Sequence, residues 1–130
     1  MNDYEVQIFN NVYSVAAPLC AKNRFVSTPI QSYTNLPAAS LYEMNNTTVR
    51  AMQSSTPVEN FSRITYQLDV VADTKSKCRQ IYAAIDERML ALNFSRLSGQ
   101  YITYPDNPKV VRYVARYEAV TDKDGNLYRA

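Results

Sequence analysis

The side chains of this chain that could do chemistry are few, and their spacing suits structure better than catalysis. Histidine is absent, which removes the commonest general base and the commonest zinc ligand. Cys20 and Cys78 are far apart, without the close spacing of a metal knuckle or a redox pair, and read as reduced core thiols of a cytoplasmic protein, with a disulfide between them as the minor alternative. Gly99 and Gly125 are the only glycines, too few for a phosphate-binding loop or a dinucleotide fingerprint. Asp122 and Asp124 match the opening of a calcium loop only in part. Glycine follows the second aspartate directly and no glutamate closes the loop, so a hairpin turn is the better reading. Asp86 and Glu87 are adjacent and do not share a helix face. Every catalytic template lacks a necessary part, so the expectation is a protein that is not an enzyme and takes no cofactor or metal.

The remaining candidates are charges on a strand. The stretch VVRYVARYEAV, residues 110–120, alternates with a period of two. One row holds Val111, Tyr113, Ala115, Tyr117 and Ala119; the other mixes Val110, Val114 and Val120 with Arg112, Arg116 and Glu118. The mixed row suits a surface that meets another protein through aliphatic contacts and ion pairs. It equally suits a solvated face with cross-strand charge pairs, and both readings stay open. Lys75, Lys77 and Arg79 read as a solvated helix start, and a net charge of +2 gives little reason to expect sequence-specific nucleic-acid binding.

These residues must be held by one domain, since 130 residues is the length of a single core. No apolar run approaches the ~20 residues of a membrane span. The spacing predicts a first helix from Tyr4 to about Ala16, capped by Asp3, with Val6, Phe9, Val12, Tyr13 and Ala16 inward and Pro18 closing it. An irregular stretch to Pro37 precedes a short strand, AASLYEM. RITYQLDVVAD is a half-buried strand, and Asp73 or Thr74 can cap a second helix to about Leu92. Its stripe is Cys78, Ile81, Tyr82, Ile85, Met89 and Leu92, with Asn93 as a left-handed stop. A strand over residues 94–104, bulged at Gly99, turns through PDNP into the alternating strand. A two-residue Asp124-Gly125 loop then leads to a short final strand.

The resulting fold class is α+β, a two-layer sandwich of a mostly antiparallel four- or five-stranded sheet with two helices on one face. The other sheet face is left uncovered. Residues 45–60, NNTTVRAMQSSTPVEN, are long for a connection within one domain. Three readings stay open for them: a partner-contacting or mobile loop, with Val49, Arg50 and Met52 as contact candidates; a tolerated excursion; or an extension of a β-hairpin.

Three patterns punctuate the carboxy-terminal part: a Y-x-L/V-D-V strand at Tyr66 to Val70, a helix ending M-x-x-L-N/G-F-x-R at Met89 to Arg96, and an R-Y-x-x-R-Y…D-G-x-x-Y-R hairpin at Arg112 to Arg129. With them, residues 58–129 resemble the tail terminator (tail completion) proteins of long-tailed bacteriophages and prophages, also grouped with minor capsid and head-tail joining proteins. The resemblance implies a structural virion protein, assembled in the host cytoplasm, that forms a ring, typically a hexamer, on the completed tail tube. Such a ring stops tube polymerisation and offers a surface to the head. The implied partners are further copies of the chain, the tail tube protein and a head-completion or connector protein, at the head-proximal end of the tail. Arg112, Arg116 and Glu118 would then serve ring contacts or the lumen. The alternatives are another head-tail joining or head-completion protein and, further off, a small nucleic-acid-binding module.

Overall fold

A computed structural model describes residues 4–21, 24–28, 30, 36–48, 61–103, 110–122, 124 and 126–129. The first helix, α1 (Glu5–Ala16), buries Ile8, Val12 and Ala16, a stripe at four-residue spacing. The expected stripe is thereby corrected: Val6 and Tyr13 are exposed, and Phe9 lies half-buried with its ring stacked on Phe25 at 4.9 Å. The helix has to follow a slightly different face because Phe25 packs against its flank. Tyr4 sits at the N-cap position but does not cap the helix through its side chain, and the expected cap Asp3 lies outside the described residues. A 3-10 turn (Ala17–Leu19) with Pro18 follows.

The strands are β1 (Phe25–Val26), β2 (Ala38–Thr48), β3 (Phe61–Ala72), β4 (Ser95–Thr103), β5 (Val111–Asp122) and β6 (Leu127–Arg129). They form one sheet ordered β1-β2-β3-β5-β4, with β6 beside β5. Only the β1/β2 pair is parallel. β1 falls in the stretch expected to be irregular, because two residues carry no readable period. β2 does not stop at Met44; a bulge there lets it continue to Thr48, with Asn45 to Thr48 opposite Thr65 to Ser62. Asn45 to Thr48 therefore belong to a β-hairpin arm, and Val49, Arg50 and Met52 lie outside the described residues.

The second helix, α2 (Lys75–Ala91), starts at Thr74, whose side chain accepts from the Lys77 N–H at 3.2 Å. It ends in a Schellman arrangement: Asn93 has φ 71°, its N–H donates to the Leu90 carbonyl, and the Phe94 N–H donates to the Met89 carbonyl. Both helices pack on one sheet face. The core joins Ile8 and Val12 of α1, Cys78, Ile81, Ile85 and Met89 of α2, and Leu41, Ile64, Tyr66, Leu68, Val70, Tyr113, Ala115 and Tyr117 of the sheet. The row Tyr113, Ala115, Tyr117 and Ala119 faces the helices as its alternation requires.

The bulge expected at Gly99 is instead at Leu97, between Arg96 and Ser98. Gly99 serves a different need: a Cβ there would overlap the Tyr113 hydroxyl, so any larger residue would have to displace that ring. The PDNP turn lies outside the described residues. The last hairpin closes with the Asp122 N–H donating to the Asn126 carbonyl, so three residues separate the closing pair, not the two expected.

The opposite sheet face is also less bare than expected. Ala38, Ser40, Asp69, Val71 and Val110 lie on it or at its margin and are buried. The open part is the other end, around Thr65, Gln67, Arg116, Glu118 and Val120.

Candidate functional site

The outer sheet face assembles from rows that run across the strands. One row is Tyr42, Gln67, Arg116 and Ser98; its neighbours are Ser40, Asp69, Val114 and Gln100 on one side and Asn45, Thr65, Glu118 and Ser95 on the other. Arg112, Arg116 and Glu118 all point to this face, as the alternation predicts, but their surroundings differ.

Arg112 is committed within the subunit. Its Nε and an Nη both donate to one Asp69 carboxylate oxygen, at 3.2 and 2.9 Å, and the Asp69 side chain is only 4% exposed. An arginine held this way is the ion-pair partner of a nearly buried carboxylate, and its removal would leave that carboxylate without it. Gln67 extends the network by donating to the Tyr42 hydroxyl at 2.8 Å. Burial pushes the Tyr42 phenol up, Asp69 adds to the rise, and Arg112 and Arg116 oppose it. Glu118 is likewise engaged, by Arg63 of β3.

Arg116 differs. It is exposed, lies between Gln67 and Ser98, and has no ion pair or side-chain hydrogen bond to another described residue. Of the three sequence candidates it is the one whose charge is left for a partner. Around it stand the neutral Thr65, Gln67, Ser98 and Val114, and two residues further along β5 Glu118, which Arg63 engages.

A sequence signal for this partition existed. Arg63 and Asp69 on β3 are six residues apart with the positive charge first, and so are Arg112 and Glu118 on β5. Antiparallel pairing reverses one list against the other, so each arginine meets an acid. Arg116 has no counterpart in that pattern.

The other chemical candidates are absorbed by structure. Cys20 and Cys78 are free thiols, each pushed up to about 11 by burial, which keeps them protonated and unreactive near neutral pH. Among the described residues no three His, Cys, Asp or Glu side chains converge as a metal site. No described helix is long and apolar enough to cross a membrane. Asp122 organises the last hairpin: its carboxylate accepts from the Asp124 and Asn126 amides at 2.9 Å and from the Tyr128 hydroxyl at 3.0 Å. Partial desolvation pulls its pKa up, but these bonds together with the Asn126 side chain outweigh it and hold the carboxyl below its usual value. Because the folded value is the lower one, the hairpin's bonus is complete above the unfolded value of 3.8 and is lost as the pH falls through the folded one. Hydrogen exchange should show the Asn126 amide losing protection in acid, and Asp122→Asn should abolish that acid response.

Comparison with known proteins leaves the chain on its own geometry: no protein-family model matches it, and no curated protein matches it. The three patterns that carried the resemblance to tail terminators can nonetheless be followed in space. Met89, Leu92, Asn93 and Phe94 are the helix stop described above, and Arg96 returns to Asp86 of α2 at 3.0 Å. Arg129, at the end of the hairpin, donates to the Phe94 and Leu90 carbonyls at 3.2 and 3.0 Å, and the Asn93 side chain donates to the Leu127 carbonyl. Two of the patterns thus form one joint in which the final hairpin caps the carbonyl end of α2. They specify architecture, while the outward charge at Arg116 is the feature available for recognition.

Proposed function

We propose that this chain is a structural subunit of a bacteriophage tail, a tail terminator that assembles as a ring on the completed tail tube, stops its polymerisation and offers a surface to the head. The observation that carries this reading is the outer sheet face. Its acids and two of its arginines are paired within the subunit, Glu118 beside Arg116 included, while Arg116 stays exposed on β5 with no partner among the described residues. A patch with one unpaired charge suits recognition of another protein surface, where that charge sets register and neighbouring contacts supply area. The joint between α2 and the last hairpin supports the resemblance at the level of architecture.

Particles assembled without this protein test the reading. Electron microscopy should find tails of uncontrolled length; full heads lacking tails would assign the protein to a head-side joint, and tails of normal length would overturn any role in tail completion. Arg116→Glu, made in the intact chain, should leave thermal unfolding nearly unchanged, since the side chain is exposed, and should impair capping of tails. An Arg116→Glu protein that caps tails normally would remove Arg116 from the contact.

A further inference from the structure

Arg116 has a counterpart of opposite sign on the far side of the subunit. Asp69, Asp73, Asp86 and Glu118 each meet a basic side chain of the same chain. Glu87 does not: it is exposed, with no ion pair or side-chain hydrogen bond to another described residue. The cause is local. Its neighbours three and four residues away along α2 are Ala83, Ala84, Leu90 and Ala91, so no basic side chain stands where a helical ion pair would form. Arg88 is adjacent but turns to Asn11, donating to its side-chain oxygen at 3.2 Å. Ile85 and Met89 of the buried stripe lie two residues to either side of Glu87, which puts Glu87 on the side of α2 turned away from the sheet.

The surroundings of the two charges fit one another. Glu87 stands at a cleft between the helices, lined with it by Val15, Ala84, Arg88 and Ala91. Val6 and Tyr13 of α1 add exposed apolar surface to the helix layer. Arg116 stands on the sheet face that the subunit's own helices leave uncovered, beside the half-buried Val114. Further along the same face Phe61, Val120 and Tyr128 line an apolar cleft.

We propose that copies of this chain stack head to tail, the uncovered sheet face of one on the helix layer of the next, with Arg116 entering the cleft between α1 and α2 and pairing with Glu87. Charge selects this occupant. Among the described residues the sheet face offers an unpaired cation and the helix layer an unpaired acid, so a second copy satisfies both at once. The next copy's helices also cover the face that a single subunit leaves open, as helices cover both faces of a sheet in layered domains. The contact joins two unlike surfaces, so it passes from copy to copy and ends only by closing through rotation. Closure into a ring rests on the tail-terminator reading; the contact itself rests on the two unpaired charges.

Charge reversal in the full chain tests the pairing. Arg116→Glu and Glu87→Arg should each weaken self-association in sedimentation by about tenfold or more, because each sets like charges together. Mixed in equal amounts, the two variants should associate as well as the unaltered chain, since every contact between unlike variants joins an acid to a base, whichever copy supplies the sheet. A chain carrying both substitutions should do the same. Both positions are exposed, and circular dichroism of each variant excludes unfolding as the cause. Absence of self-association by the unaltered chain at about 1 mM, where even a weak contact is populated, would overturn the pairing. So would a mixture no better than its components, or a loss seen with Arg116→Glu but not with Glu87→Arg, which would send Arg116 to some other surface. Restored mixtures together with tails of normal length in particles lacking the protein would keep the contact and sink the tail-terminator reading. Uncontrolled tails together with unrestored mixtures would do the reverse.

Discussion

Replacing Ile85 or Leu68 with alanine is expected to cost about 2 to 5 kcal/mol of unfolding free energy, because each side chain is fully buried at the junction of helix and sheet. Leu68 stands on β3 between Leu41 and Ala115 in its row, and Ile85 comes from α2 above the same core. Truncation removes several methylene or methyl groups from water-excluded contact and leaves a cavity. The sheet cannot close on that cavity, because its strands are fixed by their ladders. Denaturant titration measures the loss as a lower midpoint at unchanged slope. A cost below about 0.5 kcal/mol for either residue would be that of an exposed position and would refute its place in the core.

Asp86→Ala is expected to cost about 2 to 3 kcal/mol, although aspartate is not itself a core residue. The Tyr117 hydroxyl donates to the Asp86 carboxylate at 2.7 Å, and Arg96 of β4 reaches the same oxygen at 3.0 Å. Tyr117 is fully buried, so removing the carboxylate leaves a phenol hydroxyl without its acceptor. The ion pair adds less, because nearly half of the Arg96 side chain is in water. Tyr117→Phe should cost about 1 kcal/mol, since it deletes the donor together with its need for a partner. The double variant should then cost less than the sum of the two single ones, and additive costs would show that the phenol and the carboxylate are not coupled. The same contact predicts alkaline sensitivity. Burial first, and then the bond to Asp86, push the Tyr117 phenol well above its usual range. Stability from this group is complete below the unfolded value near 10 and falls as the pH rises past it. Tyr117→Phe should flatten that part of the pH profile.

Much of the fold was legible because it rests on period and punctuation. The alternation of β3 and β5 fixed which residues face the helices, Thr74 and Asn93 marked the ends of α2, and the glycine-containing turn announced the final strand. Each of these is a local preference that the tertiary structure had no reason to override. The first helix was legible as a helix but not in its face, since Val6 and Tyr13 can serve in an apolar stripe as Ile8 does and Phe25, stacked on Phe9, packs against one flank. The two bulges were invisible for a related reason. A bulge is a mismatch between two strands, and Met44 and Leu97 have no trait within their own segments that sets them apart.

The candidate site divides in the same way. By itself the sequence determined that the chain has no histidine, that an α+β sandwich is its natural architecture, and that Arg112, Arg116 and Glu118 share one face of a strand, because composition and a period of two are properties of the chain alone. Only the tertiary structure decided that Asp69 takes Arg112, that Arg63 takes Glu118 and that Arg116 is left outward, because a charge is neutralised by whatever the neighbouring strand places within a few ångströms, and that depends on pairing register.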